Sequence, residues 1–305
     1  MYDMIVVGGG PAGMTAALYA LRNGKSALVI EKAGFGGQIT HSPKVENYPG
    51  TLQMSGNEFA DRFLEQILAQ GAEVELENVV SVRDEDGIKV VETEEGGRYE
   101  ALTVVLATGV KHRMLGLPGE NELVGEGISF CAVCDGDFYA GQTVCVAGGG
   151  NSALQEAILL AEKCKEVIIL QDLPTLTGEQ RLQDVLLSRP NVRAITNLKI
   201  NALVTEGGAL RGVAVEDRNT GAQQTVACDG LFVAIGLIPE NEPFKALAKL
   251  NKWGYFDTDE QCTTDTPGVY VAGDCRSKFV RQLTTAVADG ATAALAACRY
   301  INERK

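Results

Sequence analysis

The chain has 305 residues, 45% hydrophobic and 22% charged, a balance that predicts a globular protein with room for two domains. Its formal charge of −13 argues against a general nucleic-acid-binding protein. No apolar run approaches the roughly 18 residues of a membrane span, and no signal peptide precedes the first predicted strand, so we expect a cytoplasmic protein.

The first predicted strand, Met4–Val7, leads into the run Gly8-Gly9-Gly10-Pro11-Ala12-Gly13 and then into a helix of small residues. This order is typical of dinucleotide-binding domains, in which Gly10 would let the backbone approach a pyrophosphate and Gly13 would allow close helix–strand packing. Glu31 ends the second predicted strand and can accept hydrogen bonds from ribose hydroxyls. The alternative interpretation is a glycine-rich turn without a ligand.

More glycine turns and strands follow in the first third of the chain. The turn Phe35-Gly36-Gly37-Gln38 should pass near the phosphate or ring end of the same ligand. Residues 73–100 alternate like antiparallel hairpin strands joined by glycine turns. The apolar run Val104–Ala107 then predicts a buried strand that ends in Thr108-Gly109.

The segment Cys131-Ala132-Val133-Cys134-Asp135 carries the most specific chemistry in the sequence. Two cysteines at this spacing can form a redox-active disulfide, and the adjacent Asp135 is the candidate proton carrier for the thiolates. The rival interpretation is a zinc half-site, but structural zinc takes four ligands and there is no second such pair, nor ligand spacing at His41 and His112. We therefore expect no metal.

The other six cysteines are expected to be inert thiols: Cys145, Cys164, Cys228, Cys262, Cys275 and Cys298.

A second copy of the glycine-rich run, Gly148-Gly149-Gly150-Asn151-Ser152-Ala153, follows another apolar strand. Gln171 stands at the position that Glu31 has in the first copy, and no Lys, Arg or His occurs from Glu166 to Gln180. Arginines usually hold the 2′-phosphate of NADPH, and Asp172 would repel it, so we expect no NADPH. Two interpretations stay open, a Rossmann-like shell without nicotinamide and a site for NADH.

The last part of the chain returns to the first domain. After further hairpin strands over 192–228, the run Gly268–Gly273 predicts another buried strand, and Asp274 follows at its end beside the first glycine loop. A long helix is expected near Arg281–Tyr300. This arrangement indicates an α/β protein with two Rossmann-like (three-layer ββα-type) nucleotide-binding domains, each with an antiparallel β excursion. The predicted domains are 1–112 with 240–305, and an inserted domain over 113–239.

Segments from one terminus to the other match the pattern of one family. They are Gly8–Gly13, Glu31, Gly36-Gly37-Gln38, Glu46–Gly50, Ala107–Gly109, Leu117–Glu120, Cys131–Tyr139, Gly273-Asp274 and Arg281-Gln282. On these segments the whole chain resembles the low-molecular-weight thioredoxin reductases, flavoproteins with a CxxC motif in an inserted second domain.

The resemblance implies FAD as the cofactor of the first domain, with Asn47 near the flavin ring. It also implies that Cys131 and Cys134 accept electrons from the flavin and pass them to thioredoxin, so the inserted domain should reorient between two poses. Homodimers are common in this family, and we expect one here. The cofactor-binding residues that it implies are Gly8, Gly10, Pro11, Ala12, Gly13, Glu31, Gly37, Gln38, Asn47, Thr108, Gly109, Gly273, Asp274, Arg281, Gln282 and Leu283.

One departure from the family pattern bears on the electron donor. NADPH-using members carry a His-Arg-Arg stretch after the second Rossmann strand, whereas this chain has Gln171-Asp172-Leu173. These residues resemble the ferredoxin-dependent branch of the family, so we predict a thioredoxin reductase that takes electrons from reduced ferredoxin. The alternatives are an NADH- or NADPH-linked reductase and, in another functional class, a flavin redox sensor that does not turn over.

Net charge opposes an encounter with ferredoxin, because ferredoxins are generally acidic like this chain. Two basic clusters could offset the repulsion, one at Lys111-His112-Arg113 and one formed by Arg276, Lys278 and Arg281. Each cluster is equally consistent with solvated surface charge or with contacts to the flavin.

Overall fold

The computed structural model describes residues 1–42 and 44–304, which form two compact units. The outer unit comprises Met1–Lys111 and Ile238–Lys305, and the inserted unit comprises His112–Leu237. Each has a Rossmann-like α/β sheet and an antiparallel extension, so the predicted fold class is confirmed. Within the described ranges, no helix combines the length and apolar character needed to cross a membrane.

The first segment of the outer unit alternates strands and helices and then forms a hairpin. Pro11 opens the first helix, where its fixed φ suits the helix and its missing N–H is not needed. The second helix begins with a capping box in which Ser55 and Glu58 exchange hydrogen bonds. The elements are β1 (Tyr2–Val7), α1 (Pro11–Arg22), β2 (Ala27–Glu31), α2 (Gly56–Ala69), β3 (Glu73–Leu76), β4 (Val79–Glu85), β5 (Ile88–Thr93), β6 (Arg98–Leu106) and β7 (Lys111–His112).

The inserted unit repeats the strand–loop–helix order around its own glycine-rich run and then adds a three-stranded meander. Its short first helix carries the second cysteine of the CxxC motif. The elements are β8 (Ile128–Ser129), α3 (Ala132–Asp135), β9 (Thr143–Ala147), α4 (Asn151–Ala161), β10 (Glu166–Leu170), α5 (Gln180–Leu187), β11 (Val192–Ile195), β12 (Leu198–Glu206), β13 (Ala209–Asp217), β14 (Gln223–Ala227), β15 (Gly230–Val233) and β16 (Leu237–Ile238).

The chain then returns to the outer unit with β17 (Val269–Val271) and α6 (Leu283–Glu303). The outer sheet has the order β3-β2-β1-β6-β5-β4, and β17 also pairs with β6. One face of this sheet packs on α1 and α6, whose facing residues are small. A Cβ at Gly290 of α6 would lie 2.1 Å from the Ala12 carbonyl oxygen, so only glycine permits this close approach of α6 to the start of α1.

The inserted unit contains two sheets. The five-stranded sheet has the order β11-β10-β9-β15-β8, and its strands pair in parallel. The antiparallel sheet β12-β13-β14 packs against it through a shared apolar cluster. In a parallel sheet the loops at the carboxyl ends of the strands meet at one edge, so the glycine-rich run after β9 lies at that edge.

Two segments that the alternating pattern assigned to hairpins are instead parallel edge strands. Glu73–Leu76 pairs in parallel with β2, and Val192–Ile195 pairs in parallel with β10. An edge strand with one solvated face alternates in the same way as a hairpin strand, so the pattern could not separate the two. The remaining hairpins are present, with turns at Asp86-Gly87, Gly96-Gly97, Gly207-Gly208 and 219–221. The sequence predicts all of these turns except the one at Gly207-Gly208.

Candidate active site

The first glycine-rich loop connects β1 to the start of α1. A Cβ at Gly13 would lie 1.9 Å from the Gly8 carbonyl oxygen, and Gly8 has a φ of 109°, so both positions require glycine. A Cβ at Gly10 would meet nothing within 4 Å. No side chain caps α1, so the amides of its first turn remain available for an anionic group.

Glu31 is held at the end of β2 by two backbone amides. Its Oε2 accepts a hydrogen bond from Gly9 N at 2.7 Å, and its Oε1 accepts one from Ala33 N at 2.9 Å. Each oxygen keeps a further lone pair. A carboxylate oriented in this way beside a glycine loop can accept the hydroxyls of a ribose, as the sequence predicts.

Asp274 lies after β17, next to the start of α1. A Cβ at Gly273 would lie 2.8 Å from the Cβ of Ala12, which places this loop against the first glycine loop. The Oδ1 atom of Asp274 is buried without a hydrogen-bond partner, and burial raises the pKa of Asp274 to about 6. A buried, unpaired acceptor is costly unless a donor is supplied, and a ribityl hydroxyl would supply one.

The segment before α6 is tied to its neighbours by polar contacts. Arg281 Nε donates to the Asp274 carbonyl oxygen at 3.2 Å, and its guanidinium lies over the Tyr255 ring at 4.3 Å. Asn47 Nδ2 donates to Gln282 Oε1 at 3.3 Å. Leu283 is the first residue of α6. The structure therefore brings together Asn47, Gln282 and the Asp274 loop, as the family resemblance implies.

The remaining predicted cofactor residues lie in the outer unit as well. Gly36 N donates to the Gly9 carbonyl oxygen at 2.8 Å, so the second glycine turn crosses the first. Gly37 and Gln38 lie in the short 3₁₀ turn that follows. Thr108 Oγ1 donates to Asn241 Oδ1 at 2.8 Å, and Gly109 follows with a positive φ. With the open loop at Gly10 and the unpaired Oδ1 of Asp274, these residues fit FAD.

Two of the basic residues that follow Asp274 pair with one acid that the sequence did not reveal. Asp289 of α6 accepts Arg276 Nη1 at 2.7 Å and Lys278 Nζ at 2.9 Å. It also accepts Gly273 N at 3.1 Å, which fixes the start of the Asp274 loop. These cations are therefore part of the loop framework, and the second basic cluster does not present them as free surface charge.

The CxxC motif forms a disulfide in the inserted unit. Cys131 and Cys134 are bonded, with their Cα atoms 5.3 Å apart. Cys131 is the N-cap of α3, and its Sγ accepts a hydrogen bond from Cys134 N at 3.2 Å. A backbone amide that points at this sulfur would stabilise a thiolate there after reduction.

Asp135 follows Cys134 directly in the chain, and its carboxyl is only partly hydrogen-bonded. Its Oδ2 accepts a hydrogen bond from Ser129 Oγ at 2.6 Å, and Ser129 Oγ accepts Cys131 N at 3.1 Å. Its Oδ1 is buried without a partner, and burial raises the pKa of Asp135 above its usual range. Asp135 can therefore exchange a proton near the sulfurs, and Ser129, which the sequence reasoning missed, holds it in place.

The second glycine-rich loop is intact, but the position that would face a ribose is used by the chain itself. Gln171 is buried, and its amide donates to the Thr175 carbonyl oxygen at 3.2 Å and accepts Asp172 N at 3.1 Å. Asp172 Oδ2 forms an ion pair with Arg218 Nη2 at 4.0 Å. Arg218 lies outside residues 166–180, so its pairing with Asp172 is not evident from the sequence around Gln171.

The other six cysteines are buried free thiols, in agreement with their predicted role. Cys275 Sγ donates to the Ala272 carbonyl oxygen at 3.2 Å, and burial raises its pKa to about 11. Among residues 1–42 and 44–304, no group of three or more His, Cys, Asp or Glu side chains is placed to hold a metal ion.

Three comparisons with known proteins agree with this geometry. The sequence model of the pyridine nucleotide-disulphide oxidoreductase family matches residues 2–290. The "34.2 kDa protein in rubredoxin operon" of Clostridium pasteurianum is 40% identical over 300 residues, covering 98% of this chain and 97% of the relative. The thioredoxin reductase of Bacillus subtilis is 37% identical over 304 residues, covering 99% and 96%. The crystal structure of thioredoxin reductase from Streptococcus pyogenes has a TM-score of 0.94 at 37% identity and covers 99% of each chain.

Proposed function

The chain belongs to the pyridine nucleotide-disulphide oxidoreductase family, and we propose that it reduces thioredoxin through FAD and the Cys131–Cys134 disulfide. It is a thioredoxin reductase-like flavin disulfide oxidoreductase. The observation that carries the proposal is a disulfide whose second cysteine is followed directly by Asp135, a carboxyl that Ser129 links to the Cys131 amide and whose Oδ1 is buried without a partner. The disulfide can accept two electrons, and the carboxyl can donate and accept the protons that accompany them.

The outer unit provides the residues that would hold FAD. The first-turn amides of α1 would bind the pyrophosphate, Glu31 the ribose hydroxyls, and Asp274 a ribityl hydroxyl. When bound, FAD accepts electrons from a donor and delivers them as a pair to a disulfide. Asp289, through its contact with Gly273 N, fixes the start of the loop that carries Asp274.

The inserted unit provides the proton chemistry. Reduction of the disulfide generates thiolates, and Asp135 would donate its proton to one of them. The resulting thiol–thiolate pair exchanges with the disulfide of thioredoxin through a mixed disulfide. The Cys131–Cys134 disulfide re-forms, Asp135 takes back the proton of the thiol, and the two sulfurs of thioredoxin take up protons from solvent. Because the same sulfurs serve a flavin and a bulky protein in turn, we propose that the inserted unit reorients during turnover.

We propose reduced ferredoxin as the electron donor. The support is chemical: Gln171 is used by its own loop, and Asp172 would repel a 2′-phosphate. The relative from Clostridium pasteurianum is named for a rubredoxin operon, which is compatible with an iron-protein donor. The basic cluster at Arg276 and Lys278 gives no support for docking, because both cations pair with Asp289.

A nicotinamide-linked reductase is the second candidate. It is favoured by the intact second loop, in which Gly148 has a φ of 123° and no side chain caps α4. Of the two coenzymes, NADH suits this loop better, because it lacks the 2′-phosphate that Asp172 would meet.

Multiple turnovers of thioredoxin test the proposal and separate it from a redox sensor. The purified flavoprotein is mixed anaerobically with excess thioredoxin disulfide and an artificial one-electron donor, and free thiols are counted. An enzyme gives many equivalents of reduced thioredoxin per chain, whereas a sensor gives one stoichiometric burst.

The proposed homodimer is tested separately by sedimentation equilibrium, and a monomer would overturn that part alone.

A further inference from the structure

A buried asparagine joins two loops of the outer unit through its side chain. Asn241 is 1% exposed and lies shortly after Ile238, where the chain returns to the outer unit. Its Oδ1 accepts a hydrogen bond from Thr108 Oγ1 at 2.8 Å. Its Nδ2 donates to the carbonyl oxygens of Gly254 at 2.9 Å and Cys275 at 3.1 Å. Because carbonyl oxygens can only accept hydrogen bonds, these two partners fix the orientation of the amide.

The loops that Asn241 joins are two of those that would hold FAD. Thr108 follows β6, and Cys275 comes directly after Asp274 in the loop that follows β17. The strands β6 and β17 pair in parallel, so both loops leave the outer sheet at the same edge. Asn241 therefore connects the two loops at the edge where Asp274 would meet a ribityl hydroxyl.

Glu240, the residue before Asn241, makes a second and weaker connection. Its carboxylate pairs with Lys32, which follows Glu31, and with Lys111. The Glu240 side chain is 38% exposed, and exposed ion pairs contribute little because water and salt screen them. The hydrogen bonds of Asn241 are shielded from water, so their loss would leave buried polar groups without partners. Of the two residues, Asn241 therefore contributes more to holding this edge of the sheet.

We propose that Asn241 is a positioning residue of the flavin site, which holds the loop after β6 and the loop of Asp274 in place for FAD. This rests on the proposed FAD site of the outer unit. Asn241 acts through Thr108 and Cys275, and it need not touch the cofactor. The side chain suits this role because its amide offers two donors to two carbonyl oxygens and an acceptor to a hydroxyl, a set that neither aspartate nor alanine supplies.

Truncation of Asn241 tests the proposal against a matched control. In Asn241→Ala two carbonyl oxygens and one hydroxyl lose their partner, so the two loops should shift and FAD affinity should fall about tenfold. The control is Asn191→Ala, because Asn191 Nδ2 also donates to two backbone carbonyl oxygens, those of Ala161 at 2.9 Å and Cys164 at 3.0 Å. Asn191 belongs to the inserted unit, which carries none of the predicted FAD-binding residues, so this variant should lose stability but keep its FAD affinity.

Two readouts separate positioning from a general loss of stability. Flavin fluorescence quenching during titration of the flavin-free full chain gives the FAD affinity, and urea unfolding of the same preparations gives the loss of stability. The visible circular dichroism of the bound flavin reports the asymmetric contacts of the cofactor and not the stability of the chain. This spectrum should differ from wild type in Asn241→Ala and match wild type in Asn191→Ala.

A milder variant keeps the test valid if Asn241→Ala does not fold. Asn241→Ser has a hydroxyl that can still donate to one carbonyl oxygen, so its FAD affinity should fall about threefold. Wild-type FAD affinity in a folded variant of Asn241, or an equal loss of affinity in Asn191→Ala, overturns the inference. Neither readout depends on thioredoxin turnover, and a wild-type chain that bound no FAD would instead overturn the FAD site on which the inference rests.

Discussion

Replacing Gly10 by alanine should separate flavin binding from folding. The new Cβ meets nothing within 4 Å, and Gly10 has a φ of −77°, which alanine adopts readily. The gain from a less flexible unfolded chain and the loss of a favoured N-cap glycine are each below about 1 kcal/mol, so stability should change little. The methyl group would stand where the backbone must approach the pyrophosphate. Losing one or two charge-assisted hydrogen bonds costs about 3 kcal/mol, or roughly a hundredfold in FAD affinity.

Flavin fluorescence quenching during titration of flavin-free protein measures this affinity, and urea unfolding of the same preparations measures stability. Gly150→Ala is the matched control in the second loop, where the nearest atom to the new Cβ is Thr177 Oγ1 at 3.8 Å. It should leave both flavin affinity and stability unchanged. Wild-type FAD affinity in folded Gly10→Ala would refute the placement of the pyrophosphate at this loop.

Three further changes test other parts of the account. Serine in place of Cys131 or Cys134 should leave FAD absorbance intact and abolish thioredoxin reduction, measured as thiol release; retained turnover would exclude this disulfide. Burial raises the pKa of Asp274 to about 6, so its carboxyl binds a proton more tightly in the folded than in the unfolded flavin-free protein. This difference favours folding fully below about pH 4, and the advantage is lost as the pH rises through 6. Asp274→Asn should remove this loss, which is about 3 kcal/mol between pH 4 and pH 8 by urea unfolding, and an unchanged pH dependence of stability would contradict it. Arginines at Asp172 and Leu173 together should not confer flavin reduction by NADPH, because Gln171 still fills its position; rapid bleaching would show that the loop is otherwise competent.

The local features of the fold and site could be predicted because each depends on a short stretch of sequence. The glycine loops, the CxxC motif and the acids at strand ends show themselves through spacing and flanking strands. The partners of those groups could not be found in this way. Asp289 and Glu156 lie on helices whose facing directions depend on tertiary packing, and no pattern in the sequence connects them to Gly273 or Ala132.

The strand pairings show the same limit in physical terms. A strand with alternating exposed and buried side chains suits a hairpin and a parallel sheet edge equally, which is why β3 and β11 were wrongly predicted. The role of the basic residues after Asp274 was also undecided until Asp289 was seen to pair with both Arg276 and Lys278. The sequence gives the positions of charged residues, but it does not show which residue of opposite charge each one pairs with.

Anaerobic reduction of the bound flavin by three donors tests the central claim most directly. Equal concentrations of NADPH, NADH and reduced ferredoxin are mixed in turn with the oxidised protein, and loss of flavin absorbance is followed by stopped flow. The account predicts rapid bleaching by reduced ferredoxin, followed by the appearance of two thiols at Cys131 and Cys134, and slow or no bleaching by either nucleotide. Rapid bleaching by NADPH or NADH at micromolar concentration, with none by ferredoxin, would contradict it.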